Sequence, residues 1–248
     1  MSKRILLLFA FSYMLTMLVT APASLLDLAL KSATGGKFVL ANASGTIWDG
    51  AAIPALRTRD GQLISLSLLH WKMVIPALLS GKVKVLLQWE DQPAAMEVIA
   101  SVKQIELHNA KLALPALLLG ETSSMLKPIQ LHGQLQIAGE NLLFSTRGME
   151  GSAIIDWQNA GSALTGSNTL GFYRLKLDGA SEHIHIVLST TSGMLLLEGE
   201  GDWSIVKGLK FSGKAQASNG NYDNLSELLH HLGPEISKGV HAFNFVPQ

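Results

Sequence analysis

The chain has no cysteine. Disulfides, thiolate metal sites and thiol nucleophiles are therefore excluded. Charge is scarce: Asp, Glu, Lys and Arg make up 15% of 248 residues, and 19 basic side chains balance 19 acidic ones. No net field draws such a chain to nucleic acid. Aromatics contribute only 6%, which weighs against the aromatic girdles of an outer-membrane barrel. No acid occurs before Asp27. The common catalytic signatures are also missing. There is no G-x-S-x-G elbow, no Walker loop and no G-x-G-x-x-G opening a helix. Gly161-Ser162-Ala163 and Gly166-Ser167-Asn168 read as loop composition. Glu90-Asp91 lies beside Pro93 and reads as a turn. A hydrolase is disfavoured, no cofactor is expected, and the reading is of a protein that is not an enzyme.

What is present begins with apolar surface. The mean hydropathy is +0.27. Ser2-Lys3-Arg4 is a short basic flank, and Ile5 to Thr20 is a run of sixteen uncharged residues. Ile5, Leu6, Leu7, Leu8, Phe9, Tyr13, Leu15, Leu18 and Val19 are its membrane-facing candidates. Ala21-Pro22-Ala23 fits the small-x-small pattern of a signal-peptide cleavage site. The uncharged run nevertheless continues through Ser24-Leu25-Leu26, about the length that crosses a thin bilayer. Residues 1–26 are thus a membrane anchor or a signal-like segment. Lys3 and Arg4 stay cytoplasmic in either case, so residues 27–248 face the other side of the membrane as a β domain.

A short helix is expected next, capped by Ser24, with Asp27 in its first turn and Gly35-Gly36 at its end. From Lys37 to about Ser218 the dominant period is two. Gly61 to Leu68, Lys82 to Val85, His132 to Ile137, Tyr173 to Leu177 and Glu182 to Ile186 all alternate apolar and polar. Each reads as a half-buried strand. Asp60-Gly61, Asp178-Gly179, Ser192-Gly193 and Asn219-Gly220 read as turns between them. The fold expected is mainly β: a large twisted antiparallel sheet of ten or more strands, curled or split into two sheets, with short helices near both termini. Ile53-Pro54-Ala55-Leu56, Ile75 to Gly81 and Leu114 to Gly120 share a Pro-Ala-Leu core. They read as apolar plugs between strands, because proline breaks a central strand. Near the end, Asn224-Leu225-Ser226-Glu227 resembles a capping box before a leucine stripe that Gly233-Pro234 stops. Phe243, Phe245 and Val246 could add a last strand.

Metal chemistry has one candidate, His183-x-His185 on one strand face, and nothing nearby completes it. No metal site is expected. Trp48, Trp71, Trp89, Trp157 and Trp203 read first as packing residues whose indole N–H meets a carbonyl. Gly45 to Gly50 (GTIWDG) is the sharpest of these stretches. It is weakly echoed before Trp157 and Trp203.

The order of these features resembles the type II secretion system protein N family. The resemblance is carried by Pro22-Ala23-Ser24 and by Gly45, Thr46, Trp48 and Gly50. Leu69 to Gly81 follows, with Trp71, Pro76 and Gly81. Gly151 to Trp157, Leu170 to Tyr173, Thr191 to Gly199 and Phe211 to Ala215 complete it. It implies a single-pass inner-membrane protein with its bulk in the periplasm. It also implies an accessory part in export of folded proteins across the outer membrane of Gram-negative bacteria, with other secretion subunits as partners and no catalytic residues. The alternative is a periplasmic lipid-binding or lipid-transfer protein, whose curled sheet holds acyl chains against its apolar face.

Overall fold

The computed structural model describes residues 3–58, 61–122, 130–163, 169–218 and 220–246. Ser2, Asp60, Gly166 to Asn168 and Asn219, singled out above, lie outside the described residues. Fifteen strands and five helices are found among the described residues, and the large antiparallel sheet expected from the period of two is present. The chain divides into two compact units, Met1–Ala100 and Ser101–Gln248.

The first unit begins with α1 (Lys3–Val19) and α2 (Ser24–Thr34). Its strands are β1 (Phe38–Gly45), β2 (Asp49–Arg57), β3 (Leu63–Ser65), β4 (Leu69–Met73), β5 (Val83–Trp89) and β6 (Met96–Ala100). They pair in the order β1-β2-β4-β5-β6, with β3 on β2 beyond the end of β4. The uncharged N-terminal run is not one helix. It stops at Val19, and Ala21 to Ala23 turn back to pair beside Thr46. Pro22 supplies the reason, since its ring and missing N–H break a helix. Among the described residues no helix is long and apolar enough to cross a membrane. α1 has 17 residues and reaches about 25 Å, against a hydrocarbon core of about 30 Å.

α2 covers the open edge of β1. Asp27 Oδ1 accepts from the Leu40 amide at 2.9 Å, and Thr34 Oγ1 accepts from Phe38 at 3.1 Å. An uncovered edge strand invites pairing with another chain, and here two side chains occupy its donors. The Lys31 ammonium, 2.6 Å from Asp27, and the Leu40 amide together hold the Asp27 carboxyl below the ordinary carboxylate range. Gly35 ends α2 in the left-handed region at φ 60°.

Pro54 corrects one expectation. Ile53 to Leu56 lies inside β2 rather than forming a plug. Pro54 faces the gap between β4, which ends its pairing at Ala52, and β3, which begins at Ala55. No ladder bond needs its missing N–H there, and its carbonyl accepts from Leu66 at 2.8 Å. The second Pro-Ala-Leu stretch is helical, α3 (Ile75–Leu78), with Pro76 in the first turn and Gly81 closing the segment at φ 71°. It buries none of its own side chains.

The second unit opens with β7 (Gln104–Pro115) and α4 (Leu118–Thr122). The long strands β8 (Leu131–Ser145), β9 (Gly148–Ser162), β10 (Thr169–Ser181) and β11 (His183–Gly193) follow. After β12 (Leu195–Ser204) and β13 (Gly208–Ala217) come α5 (Tyr222–Leu232), β14 (Glu235–Ser237) and β15 (Val240–Phe245). Pairing is sequential from β7 to β13, then β15, then β14. α5 starts after Asn221, three residues before the capping box read from the sequence, and its leucine stripe is as expected: Leu225, Leu228 and Leu229 are buried. They pack with Phe211, Phe243 and Tyr173 in the core of this unit. Phe243 lies over Gly213, where any Cβ would collide with its ring. Burial raises the Tyr173 phenol above its ordinary pKa, and its hydroxyl donates to Leu195 O at 2.9 Å.

Candidate functional site: a tryptophan turn that holds the N-terminal helix

The turn between β1 and β2 is built by its own side chains. Gly45 sits at φ 81°, and a Cβ there would come within 2.6 Å of the Asp49 carbonyl. Thr46 organises the loop. Its amide donates to Asp49 O at 2.9 Å, while Oγ1 accepts from Trp48 N at 3.2 Å and from Asp49 N at 3.1 Å. A threonine hydroxyl closing a turn in this way offers the backbone a local alternative to the ladder. Gly50 then leaves room for the ring of Trp71, 2.7 Å from where a Cβ would stand.

This turn holds the segment after α1. Ala23 N donates to Gly45 O at 3.1 Å and Ile47 N donates to Ala21 O at 2.9 Å, on either side of the Pro22–Thr46 pair. Trp48 Nε1 donates to Leu18 O at 2.8 Å. That carbonyl is in the last turn of α1, where its backbone partner is the Ala21 amide in a long bond of 3.4 Å. Trp71 Nε1 donates to Thr46 O at 3.2 Å and so ties β4 to the same loop. Ala23, 1% exposed, is packed with Ala52 and Trp71 in the core of this unit, with Leu26 and Leu40 against them. Ala23, four residues past the end of α1, is therefore a wall of the first unit's core.

The structure brings Gly45, Thr46, Trp48, Gly50 and Trp71 into one site. Pro76 lies instead in the first turn of α3, and Gly81 follows that helix. Ile5, Leu7, Leu8, Phe9, Tyr13, Leu15, Leu18 and Val19 are all exposed along α1, and Leu6 shares that helix. Sequence reasoning did not single out Ala52 or the edge-covering role of Asp27. Both act through partners distant in the chain, and the small residue after Pro22 was the available signal.

The remaining candidates disperse. His185 Nδ1 stands 3.2 Å from Asp202 Oδ1, and among the described residues no group of three His, Asp or Glu side chains is placed to hold a metal. Arg174 makes a two-pronged pair with Asp156 across β9 and β10 at 2.6 and 2.9 Å. Trp157 Nε1 donates to His132 O at 2.9 Å from within β9. Trp157 and Trp203 are strand residues, so the echo of the Trp48 turn does not extend to local structure.

Sheet and turn together define a class: an antiparallel β protein whose first unit grips the end of an exposed apolar helix. The chain belongs to the type II secretion system protein N family, whose model, described as "Type II secretion system (T2SS), protein N", matches residues 37–244. It is similar to the type II secretion system protein N of Klebsiella pneumoniae, 26% identical over 162 residues that cover 62% of this chain and 58% of that protein. No solved structure matches the chain. By its description the family is a component of the type II secretion system.

Proposed function

We propose that this protein is an accessory component of the type II secretion system, anchored in the inner membrane by α1, with both β units in the periplasm. It works by contact with other secretion subunits in export of folded proteins across the outer membrane. One observation carries the anchored reading: Ala21 to Ala23 are fastened into the first unit. A signal peptidase needs its small-x-small site extended and accessible. Here Ala23 is 1% exposed and its amide is engaged by Gly45. Cleavage there would also cut the chain between α1 and α2. The short span of α1 is accommodated by thinning of the bilayer around it and by interfacial residues at its end. Trp48, bonded to the last turn of α1, has the amphipathic ring that suits the headgroup level.

Fractionation of a Gram-negative host tests this reading. The full-length chain should remain with inner-membrane vesicles through an alkaline carbonate wash. Recovery of a shortened chain in the soluble periplasmic fraction would overturn it.

A second reading, a lipid-holding trough, is favoured by one row of the second unit. Leu112, Ile137, Ile155, Leu175 and Leu188 stand opposite one another on successive strands and are only half-buried. Native mass spectrometry of the purified chain decides it. Co-purified phospholipid in stoichiometric amount supports the trough, and a lipid-free species counts against it.

A further inference from the structure

We infer that α3 and the residue that caps it form a second membrane contact, which dips Ile75, Leu78 and Leu79 into the anionic surface of the leaflet from which α1 emerges. This rests on the anchored reading above. Ile75 is 57% exposed, Leu78 37% and Leu79 93%. Three large aliphatic side chains within five residues therefore face solvent on a segment that buries none of them. The third Pro-Ala-Leu stretch shows the contrast, since its Ala116 is fully buried and Leu119 packs against the second unit's core.

The position of α3 identifies its occupant. Leu18 O accepts from Trp48 Nε1, and Trp48 O accepts from Met73 N at 2.7 Å. α3 begins two residues after Met73. Two hydrogen bonds thus link the exit of α1 to the start of α3, within one unit. The polar groups fit as well. Lys72 and Lys82 are exposed on either side of α3. Lys84 is engaged by Glu97 at 2.7 Å, and the nearby acid, Asp49, is 4.0 Å from Lys72 with both side chains 70% exposed. Apolar side chains flanked by lysines suit an interfacial site on anionic lipid, where the stems bury and the charges meet phosphates. A short α1 contributes further. A span below the bilayer's thickness draws the interface toward its end, which brings α3 within reach.

The absence of native cysteine makes the test direct. Single cysteines are placed at Leu79, at Leu8 in α1, and at Leu63, which pairs with Arg57 at the far end of β2. Each full-length variant is labelled with an environment-sensitive fluorophore and reconstituted into vesicles of phosphatidylethanolamine and phosphatidylglycerol. Lipids carrying a spin-label quencher near the headgroup or deep in the acyl chain report depth. The inference expects deep quenching at Leu8, shallow quenching with blue-shifted emission at Leu79, and water-like emission at Leu63. Lys72→Glu with Lys82→Glu should lower quenching at Leu79 by about twofold or more. Water-like emission at Leu79 with Leu8 in lipid overturns the α3 contact and leaves the anchor standing. Shielded emission at Leu79 that lipid quenchers do not reach overturns it in favour of a protein contact. Water-like emission at Leu8 overturns the anchored reading and this inference with it.

Discussion

Replacing Trp71 by alanine is expected to loosen the first unit and free the segment between α1 and α2. Trp71 is 6% exposed and packs on Ala23 and Ala52. Its ring lies against Gly50, and its Nε1 holds Thr46 O. Truncating a buried tryptophan costs about 3–5 kcal/mol through lost burial and the cavity left behind. Net stabilities run to only about 5–15 kcal/mol, so this is a large share. The loss falls on the small core that contains Ala23, and Ala21 to Ala23 should then open locally far more often. Two measurements check it. The denaturation transition of the first unit should move to lower urea. Cleavage within residues 20–24 by an added protease should accelerate by at least about tenfold, since each ~1.4 kcal/mol of lost opening free energy raises the open population tenfold. Trp48→Phe is the contrasting variant. It keeps an aromatic ring but removes the Nε1–H that donates to Leu18 O, which loses a hydrogen bond of about 0.5–1.5 kcal/mol and part of the packing of a half-buried side chain. Its effect on both readouts should be clearly smaller. Unchanged cleavage in Trp71→Ala would mean that the turn does not hold the N-terminal helix.

The parts of this fold that were legible in the sequence are those set by local chemistry. β8, β10 and β11 carry alternating stretches because one face of each is wetter than the other, and the period of two shows it directly. α5 was legible from Leu225, Leu228 and Leu229, although its start was displaced by three residues because Asn224 sits inside the helix rather than before it. The break in the N-terminal run was not legible from charge. Ile5 to Leu26 is uniformly uncharged, and only Pro22 hinted that the helix stops. Pro54 was misread because its acceptability in β2 depends on a gap between two other strands. The glycine–tryptophan stretch reads in the sequence as a strand whose glycines bracket a packed Trp48, and it is instead the turn between β1 and β2. Its mechanical role was not legible. That role depends on Trp71 reaching back twenty-one positions to Gly50, on Trp48 reaching back thirty to Leu18, and on Ala23 filling a pocket shaped by β2 and β4.

The second large effect is expected at the other end of the chain, in Leu229→Asp. Leu229 is fully buried in the same cluster as Phe211 and Phe243. The aspartate would either carry a charge into an apolar site or take up a proton to avoid it, and both are costly. Shortening the side chain alone, as in Leu229→Ala, costs about 2–5 kcal/mol. The aspartate adds the desolvation of a carboxylate with no partner. The cheaper response is for α5 to leave the sheet, which exposes the phenylalanines of β13 and β15. Gly233 O accepts from His241 Nδ1 at 2.9 Å, so detachment of α5 also disturbs the start of β15. Amide exchange should therefore rise together in α5, β14 and β15, while the long hairpin of β8 and β9 keeps its protection. The alanine variant should show the same pattern to a lesser degree. Exchange that rises only within α5 would show that the helix is a lid on the sheet rather than part of the core that holds its last strands.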